Sequence, residues 1–138
     1  MVKTIRIDSG AIAADGTATA YSNPITGKII AVTVLYSGTH DMAADLHEVN
    51  PYDSDDVSDV VQTILDLAAS GATPNADNLT VYPRVALQDY TGTALDLSDA
   101  QGGDIAMYGE FVVCNKLMLK VASGTATESV SMLVHYED

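Results

Sequence analysis

The densest concentration of potential ligand oxygens is Asp53-Ser54-Asp55-Asp56-Val57-Ser58-Asp59. Hard cations such as calcium want several carboxylate oxygens from one short loop. Counted from Asp53, however, position 5 is Val57, Ser58 stands where the tight turn needs glycine, and Ile64 replaces the late glutamate. The run therefore reads as a solvated acidic loop. His40-Asp41 and Asp45-Leu46-His47-Glu48 offer mixed nitrogen and oxygen ligands, with His135 far along the chain, but their spacing matches no zinc pattern. Surface or cross-strand histidines are expected instead. Cys114, the single cysteine, follows Phe111-Val112-Val113, so a buried, inert thiol is expected. No Gly-x-Ser-x-Gly elbow and no glycine-rich phosphate loop occurs. With 19 acidic residues a carboxylate pair can be drawn anywhere, so such pairs carry no information. The sequence predicts no enzyme, no cofactor and no metal. Sugar recognition would need exposed aromatic rings; there is no Trp, and Tyr52 and Tyr90, in polar loops, are the candidates.

The elements that would carry these residues are strands. Leu117, Leu119 and Val121 alternate with Lys116, Met118 and Lys120, and Val130, Met132, Val134 and Tyr136 alternate with Ser129, Ser131, Leu133 and His135. A period of two places each set on one face of a strand. The linker 123–128 is small and polar with Gly124, so an antiparallel hairpin is expected over 110–136. In Gly27–Tyr36 both faces are apolar, with Ile30, Val32, Val34 and Tyr36 on one, which predicts a central strand covered on both sides. Residues 2–7, 17–21, 43–49, 79–87 (bent or placed at an edge by Pro83) and 93–97 complete the series. Residues 59–69 read as a strand, with a short helix as the alternative, because Val60, Val61, Ile64, Leu65 and Ala68 also have helical spacing. About eight short strands between turn signals predict an all-β, antiparallel β-sandwich or jelly-roll-like fold, as one domain over 1–138. Residues 1–7 would form an N-terminal arm or edge strand.

Charge narrows the function. Six basic residues face 19 acidic ones, a net charge of −13. Nucleic acid and anionic membranes are bound through Lys and Arg clusters, so neither is an expected partner. The alternating start Met1–Ile7 is not a signal peptide, and the longest apolar run is too short to span a bilayer.

Three stretches resemble, in their order, small β-structured virion proteins of tailed bacteriophages, in particular head decoration (cement) proteins. They are Gly27–Val34; Gln62–Leu67 followed by Tyr82-Pro83-Arg84 and Asp89-Tyr90-Thr91-Gly92; and Leu117–Val121 leading to Ser129–Val134. The resemblance implies a structural protein on the outer capsid surface, made in the host cytoplasm. It would bind the major capsid protein as a homotrimer and stabilise the expanded head by binding only the assembled lattice. Lys3 and Arg6, two of the six basic residues, would be the capsid-binding side chains. The alternative expectation is a receptor- or glycan-binding β-module of a tail or surface appendage.

Overall fold

The computed structural model describes residues 1–38, 42–50, 60–67, 78–98 and 104–138. The acidic run 53–59, His40, Asp41 and Tyr52 lie outside the described residues.

The fold is all-β, built of several antiparallel sheets. Eight strands have four residues or more: β1 (Val2–Asp8), β2 (Ala18–Tyr21), β3 (Gly27–Tyr36), β4 (Ala43–Val49), β5 (Val60–Leu67), β6 (Asn78–Val81), β12 (Lys116–Ala122) and β13 (Val130–Glu137). Between β6 and β12 lie five short strands: β7 (Val85–Ala86), β8 (Asp96–Ser98), β9 (Asp104–Ala106), β10 (Tyr108–Gly109) and β11 (Val112–Val113). The larger sheet runs β1-β13-β3, and the far edge of β3 is shared by β6 and β11. The second runs β2-β12-β4-β5. Residues 60–67 are thus a strand and not a helix. Its β-branched content fits a pleated surface, and β4 supplies the partner.

The expected hairpin of β12 with β13 does not form. β12 pairs with β2 and β4, while β13 pairs with β1 and β3, in a different sheet. The connector is occupied otherwise: Ile12 N–H donates to Glu128 O, Thr127 N–H to Ile12 O and Gly124 N–H to Gly16 O. It turns through left-handed backbone at Ser123 (φ 55°) and Thr127 (φ 71°), which carries the chain from one sheet to the other. The faces, by contrast, follow the alternation. Leu117, Leu119, Val121, Val130, Met132 and Val134 are each fully buried, and they share one hydrophobic cluster with Val32, Val34, Leu46 and Ile7. Residues of both large sheets therefore share one core, which removes their apolar faces from water.

β3 departs from its expected faces at one point. The register with β13 passes from His135↔Ala31 to Tyr136↔Ile29, a bulge at Ile30. The extra residue reverses the alternation, so Ile29 joins the core and Ile30 does not. Gly27 begins the strand against Glu137. A side-chain carbon at that position would collide with the Glu137 carbonyl, so only glycine allows this approach.

Candidate binding surface

The segment from Tyr82 to Val112 leaves the edge of β3 after β6 and returns to it at β11, and we call it the arm. Pro83 separates β6 from β7, where a single strand over 79–87 was expected. Three passes of chain meet in the arm. Leu87 N–H donates to Met107 O, Met107 N–H to Leu95 O, and Leu95 N–H to Leu87 O, so each pass bonds to both others. The closed ring satisfies backbone groups that would otherwise need a wider sheet. β7 pairs with β10 and β8 with β9 on either side of it.

At the tip, Asp89 organises the turn that carries Tyr90. Its Oδ1 accepts the Thr91 hydroxyl at 2.6 Å, the Thr91 amide at 2.8 Å and the Thr93 amide at 3.0 Å. The Thr91 hydroxyl, with the two amides behind it, holds the Asp89 carboxyl below the ordinary carboxylate range. Gly92, at φ 86°, closes the turn by donating to Asp89 O. Tyr90 projects from this locked turn fully exposed, at 100%. Tyr82, Leu95, Tyr108 and Val112 are exposed along the same arm.

The root of the arm is clamped from the opposite sheet. Glu48 points inward from β4 and is buried; its Oε2 accepts the Cys114 amide at 2.7 Å and its Oε1 accepts Gln62 Nε2 at 3.0 Å. Gln62 Nε2 also donates to Val112 O at 2.9 Å. Two side chains of β4 and β5 thus hold the strand that ends the arm. Cys114 is exposed, contrary to expectation, because Val113 takes the inward position and alternation turns the thiol outward. Beside the root an open groove of about 560 Å³ sets Lys28 among Glu110, Glu137 and Asp138.

Lys3 and Arg6 lie on β1, an edge strand as expected, but they form no joint site. Three residues apart on a strand, they point to opposite faces. Lys3 is paired with Asp138, and Arg6 lies 3.6 Å from Asp8 while donating to Ser131 Oγ at 3.2 Å. His135 bridges two strands, with Nδ1 at 2.9 Å from Thr4 Oγ1 and Nε2 at 3.2 Å from Thr33 Oγ1, and His47 meets Thr63 Oγ1 at 3.0 Å. Among the described residues no group of three or more His, Cys, Asp or Glu is placed to hold a metal.

Tyr90 was legible as an exposed ring from its polar neighbours. Tyr82 and Tyr108 were not, although Pro83 beside one and Gly109 beside the other are signals of chain that does not enter a covered strand.

No protein-family model, curated protein or solved structure matches this chain. The kinship drawn from three strand-and-turn stretches is therefore corrected. Nothing identifies the chain as a bacteriophage or virion protein, a capsid cement or a trimer, because such stretches recur wherever short antiparallel strands do.

Proposed function

We propose that this chain is a structural, non-catalytic binding domain that docks on a protein surface through its arm. The two large sheets serve as the base, packed as an eight-stranded sandwich of jelly-roll order. Support for that order lies in the pairing. With the arm strands set aside, the first strand pairs with the last (β1–β13), the second with the seventh (β2–β12), the third with the sixth (β3–β6), and the fourth with the fifth (β4–β5). Such nesting is what a long antiparallel ribbon gives when it is wrapped into two layers. It also accounts for the separation of β12 from β13.

The observation that carries the docking reading is where apolar surface remains. Nine large apolar or aromatic side chains are exposed among the described residues, and five of them (Tyr82, Tyr90, Leu95, Tyr108 and Val112) belong to the arm. Tyrosine is enriched at protein interfaces, because a rigid amphipathic ring gives much contact area for little lost entropy. The Asp89 turn presets Tyr90, which lowers the ordering cost of binding. A second reading, a glycan-binding module, is favoured by the complete exposure of that one ring on a polar turn.

The test compares the wild-type chain with a Tyr82→Ser, Tyr90→Ser, Tyr108→Ser variant. Both are taken through co-sedimentation with large protein assemblies of the source organism and through a glycan array. The variant is expected to keep its β spectrum and a Tm within about 2 °C, since these rings are outside the core, and to lose a saturable co-sedimentation that the wild type shows. Equal co-sedimentation of the two would remove the arm as the docking surface. Saturable glycan binding, abolished by Tyr90→Ser alone and unaccompanied by co-sedimentation, would establish the second reading instead.

A further inference from the structure

The outer face of the smaller sheet carries a charge arrangement that docking does not use. β4 and β5 place Asp45 directly opposite Asp66, two like charges across one strand pair. On its other flank β12 places Lys120 opposite Asp45, and β2 follows with Thr19 opposite Lys120. Along β4 itself, His47 Nε2 lies 4.0 Å from Asp45 Oδ2. The groups facing Asp45 are thus Asp66 from β5, Lys120 from β12, the uncharged Thr19 beyond it and His47 from its own strand. Lys116, further along β12, sits over the Tyr21 ring, 5.1 Å from its centroid. One oxygen of Asp45, Oδ1, is buried without a hydrogen-bond partner. Among the described residues β5 is the end strand of its sheet and has β4 as its neighbour.

We propose that Asp45 and Asp66 form a proton-operated latch on the edge strand β5. With Asp45 protonated, its hydroxyl can donate to the Asp66 carboxylate and the strand is held against β4; once Asp45 loses that proton the strand is loosened. Two carboxylates facing each other on a sheet repel, and a single lysine offsets only one of them. A proton between them turns the repulsion into a hydrogen bond. The same balance appears in the acidity of the site. Burial raises the Asp45 carboxyl to about 6, assisted by the hydrogen bond and negative charge of Asp66, while Lys120 and the Leu67 amide offset part of the rise. His47 does not supply the missing cation. Burial first and Lys120 second hold its imidazole below the ordinary histidine value, and the negative charge of Asp66 offsets only part of that.

The direction in pH follows. The folded chain keeps the proton on Asp45 up to about pH 6, whereas an unfolded aspartate loses its proton near 3.8. Between these values the folded state binds more protons, so the latch is closed below the window and opens as pH rises through it.

Hydrogen exchange of the whole chain at about pH 5 and about pH 7.5, corrected for intrinsic rates, tests this, with β13 amides as the internal reference. Protection of the β5 amides is expected to fall about tenfold relative to β13 between the two conditions, the partial exposure of the pair keeping the change from being larger. Asp66→Asn and Asp45→Asn should each abolish that fall and leave β5 protected at both pH values. Parallel behaviour of β5 and β13 in the wild-type chain overturns the latch, as does a fall that survives in both variants. Titration of the wild-type Asp45 carboxyl carbon by NMR gives an independent reading. A midpoint near 6 supports the latch, and one near 4 overturns it.

Discussion

The two large sheets and the arm are built on opposite terms. In the sheets, strands of four to ten residues present alternating faces, and inward positions such as Leu119, Val121, Val130 and Met132 are wholly removed from water. Among the described residues of the arm no strand exceeds three residues, and order comes from hydrogen bonds: the Leu87, Met107 and Leu95 ring and the Asp89 turn. Hydrophobic burial dominates folding energy, while an exchanged hydrogen bond nets about 1 kcal/mol. The sheets are accordingly the stable unit, and the arm sends Phe111 and Val85 to the core but leaves Tyr82, Tyr90, Leu95, Tyr108 and Val112 exposed. Surface that stays exposed in a folded chain is surface free to bind.

Five substitutions probe that contrast. The largest effect is expected from Leu119→Ala, which empties a fully buried site and should cost about 2–5 kcal/mol in denaturant unfolding. Leu95→Ala in the arm should cost less than about 0.5 kcal/mol by the same measurement. Similar losses at both positions would mean that the arm, too, is held by packing. An intermediate effect is expected at the join. Glu48→Ala leaves the Cys114 amide without its acceptor and the Gln62 side chain with Val112 O in place of two acceptors, for about 1–3 kcal/mol. Hydrogen exchange at residues 112–114 should rise well above that of the strand β13. An unchanged exchange rate there would show that β3 alone holds the root. The smallest effects belong to Lys3→Ala and Arg6→Ala, whose partners are exposed; neither should move Tm measurably, and a clear drop for either would give the β1 edge an energetic role the geometry does not.

Much of the sheet body was legible because burial imposes a period. Residues 43–49 and 130–136 carry their side-chain faces in plain alternation, and both are strands. Pairing is another matter. An apolar face on β12 and another on β13 require cover, but they do not say whether the cover is each other or two further strands. The left-handed turns at Ser123 and Thr127 decide it, and neither residue type announces such a backbone. A one-residue bulge at Ile30 was invisible for a similar reason, since both faces of β3 are apolar and either register reads well. Lys3 and Arg6 illustrate a sign that was present but points the other way: odd spacing on a strand separates side chains. Asp45 and Asp66 come together only through the pairing of β4 with β5, 21 positions apart in the chain, so local pattern could not reveal them.

β6 and β11 meet the same strand at nearby points, Val81 opposite Val32 and Val112 opposite Lys28. At about 3.3 Å per residue the two attachment points are about 13 Å apart along β3. Apart from Val85 and Phe111, which reach the core, the sheets require of the intervening chain only that it bridge this short gap, and loop length itself is cheap. Residues added or removed between those two anchors would therefore change the reach of the arm at little cost to the scaffold beneath it.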